Sequence, residues 1–179
     1  MIRRELDLTE SPNPLKISVG GKEEYIFSYY GDGIVSQDIQ FDLVKAGSEV
    51  KVLGLILGLK DAKIDLNVQV NHLVPNTKCT VLVKAVLKDK SKLDFFGKLF
   101  VSKGAHGSDS FLDQRTLLLG DGVGVDSTPQ LEILANNVKC SHKVSMSKPS
   151  VDEIFYMSSR GLFRDNAVEL ISKGFLAYE

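Results

Sequence analysis

A chain of 179 residues is long enough for one domain that buries roughly 70% of the surface its unfolded form exposes, so a single core is expected. A formal net charge of −1 and a pI of about 6.3 provide no basic field, which disfavours binding to nucleic acid or to an anionic membrane. Cys79 and Cys140 stand far apart and outside any CxxC pattern; neither a disulfide framework nor an intrachain zinc site is expected, and a reduced intracellular setting is.

The first residues, Met1 to Asp7, carry acidic side chains where a secretory signal needs a continuous apolar stretch, so the reading is cytoplasmic. Pro12 and Pro14 interrupt any regular element, and Glu24 to Tyr30 is expected to form a strand that covers one end of the domain. The apolar run Val52 to Leu59 falls far short of the roughly 20 residues that span a bilayer as a helix. It reads as a buried strand.

From about residue 33 to residue 147 strands follow one another without helical periodicity. Ile64, Leu66, Val68 and Val70 share one face of an alternating segment, Val81, Val83, Ala85 and Leu87 repeat the pattern, and Leu131, Ile133 and Ala135 do so again. Turn clusters such as Ala46-Gly47-Ser48, Pro75-Asn76-Thr77 and Asn136-Asn137 separate the strands at intervals of roughly 14 to 16 residues, the mark of a repeat architecture. Alternation alone also suits a β-sandwich, although the Asp-Gly pairs of tight hairpins do not recur at each turn. Pattern leaves solenoid and sandwich open.

The last thirty residues change character. Ser150-Val151-Asp152-Glu153 is a capping box that starts a helix, with Ile154, Met157 and Ser158 on one face and Gly161 closing it. A second helix is expected over about Arg164 to Lys173, with Ala167, Leu170 and Ile171 inward and Gly174 as its stop. Isolated candidates for chemistry are few. Gly120 to Gly124 lacks both the Lys-Ser/Thr and the following helix of a phosphate loop, so it reads as a turn and ATP hydrolysis is not expected. His72 is expected at a turn on the surface, Cys79 in the core, and His106 at a loop tip.

Val125-Asp126-Ser127-Thr128-Pro129-Gln130-Leu131-Glu132-Ile133, followed by Val138-Lys139-Cys140-Ser141-His142, resembles the signature of the SufB/SufD family. Asp152-Glu153, Phe155-Tyr156, Ser158-Ser159-Arg160-Gly161 and Gly174-Phe175 continue it downstream; Asn71-His72, Gly97, Asp109 and Arg115 precede it in the family's order. The resemblance implies a right-handed parallel β-helix over 1–149, with an N-terminal cap, and a C-terminal α-helical hairpin over 150–179. It also implies a non-catalytic scaffold of iron–sulfur cluster assembly that pairs with a SufB-like subunit or with itself and docks a SufC-like ABC-type ATPase. Full-length members are longer at the N-terminus. The cysteine that receives sulfur in SufB-like subunits aligns with Gln114, which makes the chain SufD-like; Lys143-Val144-Ser145 replaces the usual Gly-Ala-Thr, and Asn136-Asn137 an acidic turn.

Cys140 and His142, two positions apart, project from one strand face, and a thiolate beside an imidazole is a ligand pair for iron. One chain does not supply four such ligands, so an iron–sulfur cluster here is expected to be transient and shared across a subunit interface. Glu132 is expected at the same edge. Tyr156, Arg160, Phe163 and Phe175 have the aromatic and arginine composition of a protein interface, and the ATPase contact is expected there. The competing readings are a structural homodimer without metal chemistry and a carbohydrate-active β-helix enzyme, for which Glu132 and Asp126 are the only nearby acid pair.

Overall fold

The computed structural model describes residues 1–178. Eleven strands alternate between two sheets: β1 (Ile2–Asp7), β3 (Lys22–Gly31), β5 (Glu49–Gly58), β7 (Lys78–Lys88), β9 (Asp109–Leu119) and β11 (Lys139–Ser147) form sheet A. Sheet B holds β2 (Leu15–Val19), β4 (Ile34–Leu43), β6 (Lys63–His72), β8 (Lys92–Val101) and β10 (Gly124–Ile133). Every pairing is parallel and joins strands one coil apart. The chain is a parallel β-helix, and the sandwich is excluded. The period read from the sequence is half a coil: Asn67 bonds Asp38, its equivalent one coil earlier and 29 residues away.

Corners turn where one residue takes a left-handed conformation. Gly47, Asn76, Gly107 and Asn137 do so at one corner, with φ between 55° and 78°, and Lys60 and Asp89 do so at another. Glycine and asparagine tolerate this region best, which is why the turn clusters are legible. Register is reinforced at the start of sheet A, where Lys22, Glu49, Lys78, Asp109 and Lys139 lie in one column with alternating charge.

Inside the coil, stacked side chains fill the space between sheets, with Phe27, Phe41, Phe95, Leu66 and Leu99 fully buried. Gly54 accommodates Phe27 of the rung before: a Cβ there would collide with the phenyl ring. Residues 1–32 depart from expectation. The segment Glu24 to Tyr30 belongs to β3, which is a full rung between β1 and β5 with Tyr25, Phe27 and Tyr29 in the core. The end beyond it is closed by β1, whose Arg4 donates to the Tyr25 hydroxyl at 2.7 Å and pairs with the buried Glu23 at 3.5 Å.

Helix α1 (Val151–Ser159) begins with the expected capping box, Ser150 accepting from the Glu153 N–H at 3.0 Å and Glu153 accepting from the Ser150 N–H at 2.8 Å. Helix α2 (Arg164–Leu176) runs through Gly174, so that glycine does not stop it; Ala177 is the C-cap. Ala167 is buried, whereas Leu170 is exposed. Rather than plugging the end of the solenoid, α2 packs on the outer face of sheet A against β7 and β9. Lys84 donates to the Ala177 carbonyl at 2.7 Å and Tyr178 to Glu24 at 2.6 Å, tying the C-terminal turn across the sheet.

Candidate functional site

The interior of the solenoid changes composition toward its C-terminal end. The inward columns of sheet A start on β3 with Glu23, Tyr25, Phe27 and Tyr29, run through Val50, Val52, Gly54 and Ile56, then Cys79, Val81, Val83 and Ala85, and become Ser110, Leu112, Gln114 and Thr116 on β9. The last rung, β11, adds Cys140, His142, Val144 and Met146 in register with those four. Cys140 and His142 therefore do share a face, and it is the face toward the interior at the mouth of the coil. Nothing among the described residues stacks beyond β11 or β10.

Cys140 is half-buried against the small cluster of Val101, Ala105 and Ala135. Burial, aided by the negative charge of Asp109, pushes its thiol up, so at neutral pH it is protonated and would have to lose a proton to ligate a metal. Cys79 lies two rungs below in the same column with Ser110 between, about 9–10 Å away and beyond disulfide reach. Its complete burial raises the thiol to about 12, as expected for a core residue. His142 is exposed above the buried Leu112, and its ring makes no hydrogen bond among the described residues.

Glu132 is not brought to this pair. It lies on β10 opposite Phe100, on the outer face of sheet B, where it binds Lys98 at 2.8 Å. Ile133 instead faces inward, in the column of Val101. Among the described residues no three His, Cys, Asp or Glu side chains come together as a metal cage. Gln114 is fully buried, accepts from the Ser127 hydroxyl at 2.6 Å and donates to Thr116 at 3.3 Å. This polar belt below the mouth was not recognised from the sequence, although Ser110, Gln114 and Thr116 fall at the apolar positions of an alternating strand.

His72 departs from its expected place on the surface. It is completely buried at the end of β6, with Nδ1 2.7 Å from the Thr77 hydroxyl, which contacts Ser108 at 2.9 Å; Nε2 has no partner. His106 does sit at an exposed corner, its Nδ1 2.9 Å from the Asn136 carbonyl.

On the helices, Phe163 is 81% exposed and Tyr156 is also exposed, with the Arg160 guanidinium 5.4 Å from the Tyr156 ring. Phe175 is half-buried. Val151 and Phe155, the latter 73% exposed, extend the apolar surface and were not assigned to an interface from the sequence. No residue of α1 is buried.

A model of the SufBD core domain of the SUF system for iron–sulfur cluster assembly matches residues 19–175. The chain belongs to the SufBD family. It is 31% identical over 130 residues to the iron–sulfur cluster assembly protein SufB of Bacillus subtilis, which covers 73% of this chain and 28% of that protein. An iron–sulfur cluster assembly SufBD family protein of Mycobacterium bovis is 32% identical over 126 residues, covering 70% and 15%. One from Staphylococcus saprophyticus is 27% identical over 156 residues, covering 87% and 34%. This SufBD chain thus spans about a third or less of the length of these relatives. Among its described residues, no helix is long and apolar enough to cross a membrane.

Proposed function

We propose that this SufBD-family chain is a non-catalytic, SufD-like scaffold subunit that works in the cytoplasm within a SufBCD-type complex. Its cargo is a nascent iron–sulfur cluster, held transiently where the open end of the solenoid meets a second protomer, either a SufB-like subunit or another copy. The observation that carries this reading is the placement of Cys140 and His142 at a mouth that, among the described residues, nothing caps, beside the open edges of β10 and β11. An open edge offers backbone donors and acceptors to an incoming strand. Pairing there would surround both side chains with a partner's residues and complete a ligand set that one chain lacks.

The exposed surface of Tyr156, Arg160, Phe163 and the half-buried Phe175 supports docking of a SufC-like ABC-type ATPase. Glu132, engaged with Lys98 on the outer face, contributes to the rim of the mouth rather than to the ligand set. Anaerobic reconstitution with ferrous iron and sulfide, together with a SufB-like partner, tests the assignment. Visible cluster absorption is expected to fall in His142→Ala while the pair still co-elutes. Unchanged absorption removes His142 from the site.

A further inference from the structure

The outer face of sheet B, on the opposite sheet from Cys140 and His142, carries a shallow groove of about 380 Å³. It crosses four rungs, with Pro14 before β2 and Lys16 on it at one end, Phe96 on β8 at the other, and a floor of Asp38, Gln40, Asn67 and Gln69. The floor is ordered by side-chain hydrogen bonds. Asp42 accepts from the Gln40 amide at 2.9 Å and from the Asn71 amide at 2.6 Å, and a carboxylate offers nothing but acceptors. Asn71 must then turn its carbonyl to the Gln69 amide, which donates to it at 2.7 Å. Asn67 likewise donates one N–H to Asp38.

This relay leaves the carbonyl oxygens of Gln40, Gln69 and Asn67 and the second oxygen of Asp38 without hydrogen bonds among the described residues. Four acceptors face solvent over two adjacent rungs. The groove is also held in shape: Asn13 donates to the Ser36 carbonyl at 2.9 Å and accepts from the Asp38 N–H at 3.0 Å, while Gln37 donates to the Pro12 carbonyl at 2.6 Å. These bonds extend the ladder past two prolines that cannot donate.

Asn67 and Gln69 each keep a second amide N–H beside these acceptors, and a surface that offers both is complementary to hydroxyl groups, which donate and accept. Lys16 offsets Asp38 within the groove, and Asp42 at its edge leaves a single negative charge, so a polycation is the competitor the test must exclude; neutral hydroxyl groups need no charge attraction. Phe96, half-exposed at the end of the floor, offers an apolar face to the C–H side of a sugar ring. The geometry points to a binding site for a neutral polyhydroxylated chain, of the class of a short oligosaccharide, on the outer face of sheet B. It stands independently of the cluster-assembly reading.

Amide NMR spectra of the full chain, titrated with maltotriose and separately with trilysine, test the site. Maltotriose should give saturable shifts centred on the backbone amides of Asp38, Gln40, Asn67 and Gln69, and trilysine should not. Phe96→Ala and Gln69→Leu should each weaken maltotriose binding about tenfold with the dispersed spectrum retained. Phe96→Ala alone decides the matter where Gln69→Leu loosens the sheet. No saturation with maltotriose, an equal response to trilysine, or unchanged affinity in Phe96→Ala would each overturn the assignment.

Discussion

The buried His72 makes folding stability depend on pH in a window where few other groups act. Burial lowers its pKa from 6.5 to about 4, with a smaller opposing pull from Asp109. The unfolded chain therefore takes up a proton as pH falls through about 6.5, while the folded chain resists until about 4. Stability from this residue is complete above the unfolded value and is lost as pH falls toward the folded one. Each unit of difference corresponds to about 1.4 kcal/mol, so the whole effect is about 3 kcal/mol, much of it lost by about pH 5. Urea unfolding at about pH 7.5, 6 and 5, run on the parent chain and on His72→Leu, isolates it. Leucine suits the site because the column neighbours, Leu43 and Val101, are apolar, and Ser108 remains to bond Thr77. The lowered carboxylates, Asp7, Asp32, Glu153 and Glu169, start from 3.8 or 4.5 and lose their contribution only below that range. The parent should lose stability between pH 7.5 and 5 and the variant should stay nearly flat. Equal slopes in the two proteins would refute the reasoning.

Gly54→Ala should destabilise the chain by about 1–3 kcal/mol, because the added methyl meets the Phe27 ring, and Phe27→Leu in the same chain should recover part of the loss in thermal unfolding. Ser150→Ala should cost α1 about 1 kcal/mol. With no residue of that helix buried, the loss should appear as faster amide exchange in Val151–Ser159 and barely move the global melt. Alkylation of Cys140 by iodoacetamide should titrate with a midpoint above the ordinary thiol value of 9.0, and Cys79 should react only on unfolding.

The solenoid was legible where its repeat constrains every coil in the same way. Inward Ile64, Leu66, Val68 and Val70 must be apolar because another rung lies on either side, and Asn76 or Gly107 must tolerate a left-handed corner. Pattern alone still left a sandwich open, because alternation reports one dry face and says nothing of which strand lies beside which. The resemblance supplied that. Residues 1–32 resisted reading because β1 and β2 are short and two prolines lie between them. Gly174 misled because a glycine in the last turn of a helix signals a stop only when the chain takes a left-handed turn there, and here it stays helical. His72 was misplaced because its partners, Thr77 and Ser108, become neighbours only once the corners stack. Cys140 and His142 were correctly set on one face, since a two-residue period suffices. That this face opens into the mouth, while Glu132 points out to Lys98, follows from register, which no single strand records.

The two ends of the coil solve the same physical problem differently, and the contrast supports pairing at one of them. A β-helix end exposes both unpaired backbone and the inward side chains of its last rung. At the N-terminal end four of the six residues of β1 are charged, Arg3 pairing with Glu5 at 3.2 Å and Arg4 closing over Tyr25 and Glu23, although Ile2 is exposed there. Such a strand shields the core while discouraging a further one. At the C-terminal end Ile133, Leu134 and Met146 are exposed, and β11 carries Lys139 and Lys143 without a single carboxylate. In β10, Pro129 withholds one backbone donor, so of the two edges β11 is the less obstructed. The column of alternating charge that ends in Lys139 has an acid on one side only, Asp109, and its pattern favours another acid on the other. A strand bearing carboxylates would satisfy that column, cover the exposed apolar groups and enclose Cys140 and His142 in a single step, which a polar cap like β1 does not do.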